Sequence, residues 1–500
     1  METDRPSHTT TFSDRLFFQL DRLPLSLLLL LSLSGYTLLV FWFPLTPYYK
    51  LVPLSDIRSF TPSLGEGFVY GCFISLLYAL FWLAYRRVRR SSRPPGLLKI
   101  LGIATLFALP LLLTYPINAN DIYRYVIRGR IFSIYGESPF SVAPNAFPND
   151  PFLPLAGEWA GVTSPYGPLW EITASLLTNL SGDNLLLGLL FFKGLALLAF
   201  MGSAVLLWST VRFAASGAAE THDAASSAAN TILWAWNPAL LLTFVTNAHN
   251  DALMIFWLLL GFVVIRRGHL QAGFLLMFLG PLTKPIGVLA LPLFFVRIWH
   301  DIATIKLRLR FLLVTFAGGL ILLTLSFLPF GSPLELAQRL LHEAAAGGGF
   351  SLAVLLILMA QKLNLPFSVT LAAQIALLLF GLFVLWLLWK TWRGRSPVRG
   401  TADIFYGYLL QALNFRIWYA AWPFPWLILD AGEHPQAWRT AYRLHYGLWF
   451  LLTTQLSVLI YAQVRIFLLG GDQLQAHLLG VLFTFGAPFL LARYSKKSGF

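Results

Sequence analysis

The chain changes character at Asn118-Ala-Asn-Asp-Ile-Tyr-Arg-Tyr-Val-Ile-Arg-Gly-Arg130, where a long apolar run ends. Residues 101–115 are almost all apolar, and charged residues then follow at short intervals: Asp121, Arg124, Arg128 and Arg130. A carboxylate at the end of a membrane span is costly, so it is by default a candidate functional residue. The stretch therefore predicts a membrane span with a functional site at its end.

The composition of the 500-residue chain is that of a membrane protein. Hydrophobic residues make up 57% and charged residues 12% of the chain, whereas soluble domains carry roughly 25% charged residues. Apolar stretches of about 18 residues or more recur along its whole length, which indicates repeated membrane crossing by helices. We therefore predict an all-α polytopic membrane protein with about 13 or 14 transmembrane helices. The single cysteine, Cys72, excludes a disulfide framework and a cysteine-based metal site.

The basic residues indicate how the chain crosses the membrane. The net charge is +14, and the Lys and Arg residues cluster in short segments between apolar runs. This is the positive-inside pattern, and it disfavours nucleic-acid binding. The strongest cluster, residues 86–93, is predicted to be cytoplasmic, so residues 116–183 face the other side of the membrane.

The predicted organisation is one transmembrane module, residues 23–494, between cytoplasmic tails at 1–22 and 495–500. The segment 116–183 is too long for a simple connector, which is typical of functional loops. We expect two amphipathic helices in it, at 121–134 and 168–180, lying on the membrane surface. The sequence Gly280-Pro-Leu-Thr-Lys-Pro285 predicts a break in a later span. An internal repeat is not apparent, which disfavours repeat-built transporter folds.

The costly polar residues gather at the predicted non-cytoplasmic ends of the spans, and this asymmetry predicts a site there. An acceptor hydroxyl that attacks a sugar carbon needs a base, and a carboxylate suits that role. A lipid-phosphate leaving group needs cations, and aromatic side chains suit sugar binding. Asp121 is the candidate base, and Arg124 is a candidate phosphate ligand. The candidate substrate-binding residues are Tyr123, Tyr125, Arg128, Tyr166, His249, Asn250, Asp251, Trp418 and Tyr419.

Each of these residues also has a purely structural interpretation. Arg128 and Arg130 can anchor an interfacial helix at headgroup level. Asp121 can cap the helix that it begins, and residues 249–251 can form a helix-start turn. Lys284 can extend towards the membrane surface.

A metal site is conceivable but not favoured. Asp121, His249 and Asp251 offer oxygen and nitrogen ligands if their segments meet. The chain lacks diagnostic helical spacing such as His-x-x-x-His. We therefore predict no cofactor and no required metal.

Several motifs resemble the first large outer loop of superfamily C glycosyltransferases. They are Asn120-Asp-Ile-Tyr-Arg-Tyr125, Tyr135-Gly-Glu-Ser-Pro-Phe140 and Ser164-Pro-Tyr-Gly-Pro-Leu-Trp170. The branch that they resemble is that of the polyprenyl-phosphomannose-dependent α-mannosyltransferases, which are similar to glycosyltransferase family 87. Later features are similar to the same branch, and the resemblance spans about residues 98–430. These features are Asn237-Pro238, His249-Asn-Asp251, Thr283-Lys-Pro285 and Arg416-Ile-Trp-Tyr419.

The resemblance implies an inverting transfer of a hexose, with mannose as the best guess, from a polyprenyl-phosphate donor to a glycan or lipid-linked acceptor. It implies a bacterial cell membrane, with the site on the periplasmic or extracellular side. Asp121 matches the expected base, and by position Lys284 and Arg416 serve the donor phosphate. The family's paired acids with one residue between them are absent, since Asn118-Ala-Asn-Asp121 holds a single carboxylate. This difference favours a metal-free mechanism.

Two other functions stay open. A transporter or flippase of lipid-linked glycans would place its ionisable residues near the bilayer midplane on broken helices, and Lys284 partly fits that pattern. A glycan polymer ligase of similar architecture would use arginines and a histidine more than an acid.

Overall fold

The computed structural model describes residues 23–214, 220–345, 348–365, 369–434 and 437–497. Every regular element in these ranges is a helix, and the β contact found there is one isolated bridge between Pro44 and Thr114. Several of the helices are long and apolar enough to cross a membrane. The prediction of an all-α polytopic membrane protein is confirmed.

The first half of the chain, up to the break at residue 284, forms twelve of the described α-helices. They are α1 Leu25–Trp42, α2 Leu45–Tyr48, α3 Ile57–Phe60, α4 Leu64–Arg89, α5 Leu97–Leu112, α6 Asp121–Ser133, α7 Pro168–Ser181, α8 Leu185–Ala214, α9 Glu220–Ala235, α10 Pro238–Leu241, α11 Asp251–Arg266 and α12 Leu270–Thr283. Short 3₁₀ helices cover Pro144–Ala146 and Leu153–Trp159, and a π-helix covers Leu242–Thr246.

The second half adds helices α13 to α23. They are α13 Leu291–Asp301, α14 Ile305–Phe327, α15 Pro333–Ala345, α16 Leu352–Lys362, α17 Val369–Trp392, α18 Pro397–Gln411, α19 Phe424–Glu433, α20 Trp438–Leu459, α21 Arg465–Phe467, α22 Gln473–Val481 and α23 Ala487–Lys497. Here the 3₁₀ helices are Pro285–Ala290 and Ile417–Ala421, and the π-helices are Ile460–Val464 and Leu482–Gly486.

The number of full-length spans is smaller than the sequence predicts. Among the described residues, seven helices are long and apolar enough to cross a membrane, or eight if the bent pair Ala224–Ala235 and Pro238–Thr246 is one span. Three shorter apolar helices, α5, α12 and α16, add to these. The expected 13 or 14 spans exceed this count because hydropathy scores short and broken apolar segments in the same way as complete crossings.

The segment after α5 folds into the protein. Helices α6 and α7 form close to the predicted positions, and α6 is buried along nearly its whole length. This burial differs from the expected helix lying on the membrane surface. Its polar residues can be buried because the rest of the segment supplies partners, as described below.

Two helix breaks bring loop ends to the same end of the bundle. Asn237 caps α10 through its side chain, and the following π-helix leads into residues 247–250. The predicted break at 280–285 is present, with Lys284 in an extended conformation between α12 and a 3₁₀ helix. Such breaks free the chain to place polar side chains at the end of a span.

Candidate active site

Four segments that lie far apart in the sequence meet at this end of the bundle: the start of α6, residues 249–251, the break at Lys284 and residues 416–422. Asp121 is the first residue of α6, and Asp251 is the first residue of α11. An acid in the first turn is favoured by the partial positive charge at a helix N-terminus. The preceding residues, Asn120 and Asn250, form no side-chain cap hydrogen bond. Helix capping alone therefore does not account for Asn120 and Asn250 at these two helix starts.

Asp251 forms a closed ion pair with Lys284. The Lys284 Nζ atom donates to Oδ1 and Oδ2 of Asp251, at 2.8 Å each. The indole Nε1 of Trp422 also donates to Asp251 Oδ1. Lys284 Nζ lies 5.1 Å from the ring centre of Tyr419 and 5.6 Å from that of Trp422, which adds cation–π attraction. Lys284 therefore points into the protein and is held there.

Asp121 is buried but less completely engaged. Arg124 Nη1 lies 2.6 Å from Asp121 Oδ1, and His249 Nδ1 lies 3.6 Å from Oδ2. Burial raises the pKa of the Asp121 carboxyl, but the nearby charges of Arg124, His249, Lys284 and Arg416 lower it below its ordinary value. Asp121 is therefore a carboxylate at neutral pH, with one oxygen directed towards the histidine.

Buried polar atoms without partners lie on His249, on the adjacent Asn250 and on Trp418, which stacks on the histidine ring. The ring of His249 stacks on Trp418 with centroids 4.3 Å apart, and burial lowers the pKa of His249 to about 4, so the imidazole is neutral. Both ring nitrogens of His249, both amide atoms of Asn250 and Trp418 Nε1 form no hydrogen bond with any residue that the structure describes. Such atoms are costly to bury unless a ligand or water satisfies them. The cluster is thus suited to a polar ligand.

Aromatic side chains line one side of the cluster. Tyr125 Oη accepts a hydrogen bond from the backbone N–H of Asn250 at 3.4 Å, and the Tyr125 ring packs against Tyr166 and Trp170. The ring centre of Tyr166 also lies 5.9 Å from Lys284 Nζ. Tyr123 faces away and packs against Tyr115. The structure therefore brings Tyr125 and Tyr166 into the cluster and leaves Tyr123 outside it.

The predicted arginines differ in what they contact. Arg128 donates to the carbonyls of Val162 and Thr163, at 3.3 Å each, and Arg130 pairs with Asp150 and Asp183 at 2.9 Å each. These two arginines are buried and hold the loop together, so the anchoring interpretation at headgroup level does not describe them.

Arg124 and Arg416 lie nearer to the acid. The guanidinium of Arg124 stacks over Trp159, 4.2 Å from its ring centre, while it binds Asp121. Arg416 donates to the Gly348 carbonyl at 3.3 Å, and its charge is close enough to lower the pKa of Asp121. Both cations therefore face the same region as the acid.

Sequence reasoning missed three residues of this region. Trp422 holds Asp251, and the buried Ser164 and Glu171 bond through their side chains at 2.5 Å. Burial raises the pKa of the Glu171 carboxyl to about 7. The motif from Ser164 to Trp170 was visible in the sequence, but an acid in the amphipathic helix predicted at 168–180 is expected to face solvent unless its burial is known.

The described residues contain no group of three or more His, Cys, Asp or Glu side chains placed to hold a metal ion. Lys284 occupies both oxygens of Asp251, and Arg124 occupies one oxygen of Asp121. In the suggested ligand set of Asp121, His249 and Asp251, both carboxylates are therefore paired with side-chain cations.

The fold and the cluster together define a polytopic membrane protein with a buried cluster of acidic, basic and aromatic side chains at the end of a helix bundle. A family model described as "Alpha-(1->6)-mannopyranosyltransferase, N-terminal domain" matches residues 51–301, which is half of the chain. The chain belongs to this family, and the resemblance to superfamily C mannosyltransferases is confirmed.

Individual relatives agree with this assignment. The alpha-(1->6)-mannopyranosyltransferase A of Corynebacterium glutamicum is 27% identical over 231 residues, which cover 46% of this chain and 44% of the relative. The protein of the same name from Mycobacterium tuberculosis is 30% identical over 192 residues, 38% of this chain and 35% of the relative. The matched part therefore spans less than half the length of these relatives. No solved structure matches the chain.

Proposed function

We propose that the protein is an inverting α-mannosyltransferase that takes mannose from a polyprenyl-phosphate donor. The names of the relatives, alpha-(1->6)-mannopyranosyltransferases, suggest mannose as the sugar and α-(1→6) as the linkage. The observation that carries the proposal is the convergence of Asp121, His249–Asp251 and Lys284 in one buried cluster at the end of the bundle. We propose that this end faces the periplasm or the cell exterior.

Asp121 is a better candidate for the base than Asp251. Asp251 is fully buried, and its oxygens are bound by Lys284 and Trp422. Asp121 has one oxygen directed at the cluster of unpartnered polar atoms, where an acceptor hydroxyl can approach it. Its lowered pKa keeps it deprotonated at neutral pH, as a general base must be.

In the proposed reaction, the acceptor hydroxyl oxygen forms a bond to the anomeric carbon of the donor sugar. The bond between that carbon and the phosphate oxygen breaks, and its electron pair leaves with the polyprenyl phosphate. Asp121 takes the hydroxyl proton. A single displacement of this kind inverts the anomeric centre, so a β-linked donor gives an α-linked product.

The leaving phosphate gains negative charge as the bond breaks, and cations fixed nearby stabilise that charge. Lys284, Arg416 and Arg124 all lie close enough to Asp121 to act on its electrostatics, although Asp121 contacts only Arg124 directly. We propose that these three cations bind the donor phosphate. The unpartnered atoms of His249, Asn250 and Trp418 are assigned to the sugar and acceptor hydroxyl groups.

The test is the Asp121→Asn variant, assayed for transfer from polyprenyl-phosphate mannose to an α-(1→6)-linked mannose oligomer in detergent. Loss of the base is expected to lower kcat by roughly 10²–10⁴-fold. The control is Glu137→Gln, because Glu137 is an exposed acid of the same loop and should be dispensable. Transfer by Asp121→Asn at the rate of the control would remove Asp121 as the base.

A parallel measurement addresses the metal. Wild-type transfer is expected to survive EDTA, because side-chain cations already engage both carboxylates. Loss of transfer in EDTA that added Mn²⁺ restores would contradict the metal-free mechanism and show that the reaction needs a divalent ion.

A further inference from the structure

Lys193 is a fully buried lysine in the long membrane helix α8, and none of the roles above uses it. Its ammonium group donates three hydrogen bonds, all to backbone carbonyls. The acceptors are Leu111 O at 3.2 Å, Thr114 O at 2.7 Å and Thr246 O at 2.7 Å. Since an ammonium group has three donors, this side chain is fully satisfied.

A lysine in this position needs a physical reason. A charge inside a membrane helix is costly, and an apolar residue at this position would avoid that cost. The carbonyls that Lys193 binds lie at or just after the C-terminal ends of helices, where backbone oxygens carry partial negative charge. Lys193 thus joins the ends of α5 and of the π-helix to α8.

The two stretches that Lys193 joins lead directly to the candidate site. The chain runs from Thr114 to Asp121 on one side and from Thr246 to His249 on the other. A second link lies between the same stretches, because the Ile117 amide donates to Asn247 Oδ1 at 3.0 Å. The distance between Asp121 and His249 therefore depends on how these two stretches are held together.

We propose that Lys193 is a positioning residue, which fixes the Asp121 segment against the His249–Asp251 segment through three carbonyls. Its catalytic consequence rests on the proposed function, but its structural consequence does not. Without the ammonium group, the carbonyls of Thr114 and Thr246 lose their shared donor and the two stretches move more independently. Catalytic groups displaced by about 1 Å can lose roughly 10²-fold in rate.

The first experiment measures amide hydrogen exchange by mass spectrometry in the purified full-length protein. In Lys193→Met, which keeps the length and apolar stem of the side chain, peptides that contain Ile117, Asn247 and His249 are expected to exchange about 10-fold faster. The matched control is Ser203→Ala, because Ser203 is buried in the same helix and its hydroxyl bonds to Ala199 O within that helix. This control should leave the same peptides unchanged.

The second experiment separates kcat from KM. Lys193→Met is expected to lower kcat by roughly 10²-fold and to change KM by a smaller factor, because every residue that contacts substrate is still present while the geometry between the base and the substrate is lost. Lys193→Gln retains amide donors and should recover part of the kcat and part of the exchange protection. If Lys193→Met does not fold, Lys193→Gln is compared with Ser203→Ala in both assays.

The outcomes separate the two proposals. Faster exchange at these peptides supports the positioning role even if wild-type protein does not transfer mannose from the assayed donor, in which case only the proposed function fails. Exchange in Lys193→Met equal to that in Ser203→Ala would overturn the positioning role. An equal loss of protection along all of α8 would also overturn it, since that result describes general destabilisation.

Discussion

Asp121 and Asp251 show how surroundings separate two identical side chains. Each begins a helix, and each lies within 4.0 Å of the same nitrogen of His249. The carboxylate oxygens of Asp251 accept hydrogen bonds from Lys284 and Trp422, so Asp251 holds the lysine in place. Asp121 has Arg124 on one oxygen and the unpartnered atoms near the other. The same chemistry therefore supports a fixed ion pair in one place and a candidate base in the other.

Much of this residue-level arrangement could be predicted from the sequence. Asp121, His249 and Lys284 stand out because they lie at the predicted non-cytoplasmic ends of apolar runs, away from the basic clusters that mark the cytoplasmic side. The partners of Asp251 could not be predicted, because Trp422 lies far along the chain and a tryptophan in a membrane protein is usually read as an interfacial anchor. The burial of Glu171 likewise depends on how α6 and α7 pack.

Glu171 gives a prediction for the dependence of stability on pH. Burial raises the pKa of its carboxyl from 4.5 to about 7. The folded protein therefore retains a proton that the unfolded chain has lost, so stability falls as the pH rises from about 4.5 to 7 and stays reduced above that range. The total effect is of the order of 3 kcal/mol.

The Glu171→Gln variant is expected to remove this dependence, because glutamine cannot ionise and its carbonyl can still accept from Ser164. In wild type, the apparent Tm in detergent should be lower at pH 8 than at pH 5. This difference should be much smaller in Glu171→Gln. Glu137→Gln, at an exposed site of the same loop, should follow wild type. Equal changes in Tm for wild type and Glu171→Gln would show that Glu171 does not titrate in this range.

At the scale of elements, hydropathy located most helices and the break at Lys284. It did not predict that α6 is buried, because an amphipathic helix with several arginines has the composition of a surface helix. The partners that make burial tolerable, among them Asp150 for Arg130 and the carbonyls of 162–163 for Arg128, come from irregular chain. The π-helix before Asn247 also has no clear sequence signature.

Gly167 lies against the backbone of the helix break at residues 282–284, so we expect this position not to tolerate a side chain. The Gly167 amide donates to Thr283 O at 3.0 Å, immediately before Lys284. A Cβ atom at Gly167 would overlap the backbone carbonyl of Leu282, which cannot rotate away as a side chain can. Gly167→Ala is therefore expected to push the loop from the break and to displace Tyr166 from Lys284.

We expect Gly167→Ala to lose roughly 1–3 kcal/mol of stability, as overpacked sites do, and to lose transfer activity at temperatures where it remains folded. The control is Gly161→Ala in the same loop, where an added Cβ would meet only the Asn145 amide at 3.5 Å, an ordinary contact. Thermal unfolding and transfer assays on both variants measure the difference. If both behave alike, the close approach at Gly167 does not hold the break in place.

At the scale of the whole molecule, the candidate site and a second charged region lie at opposite ends of α11. This helix has 16 residues, so it is about 24 Å long, with Asp251 at one end and Arg266 at the other. Arg266 pairs with Glu433 at 3.3 Å, at the end of α19. Nearby, Asp403 and Asp430 are bound by arginines of α18 and α20.

The sequence predicted the basic residues of this second region as markers of the cytoplasmic side, but it did not predict their ion pairs. The pairs join α18, α19 and α20, so they appear only once those helices pack. The charge bias and the pairing are compatible, because one region can both orient the chain and join its helices. The Lys and Arg clusters still predict that this end is cytoplasmic and that the candidate site faces the other side.

Cysteine labelling tests that orientation. The chain has one cysteine, Cys72, so Cys72→Ser gives a background in which single cysteines can be introduced. Glu137 in the loop of the candidate site and Ser92 in the 86–93 cluster are both exposed. A membrane-impermeant maleimide added to intact spheroplasts should label Glu137→Cys. It should label Ser92→Cys only after permeabilisation, because the positive-inside bias keeps that cluster in the cytoplasm. The reverse pattern would place the candidate site in the cytoplasm, where a donor delivered across the membrane as a lipid phosphate would not be needed.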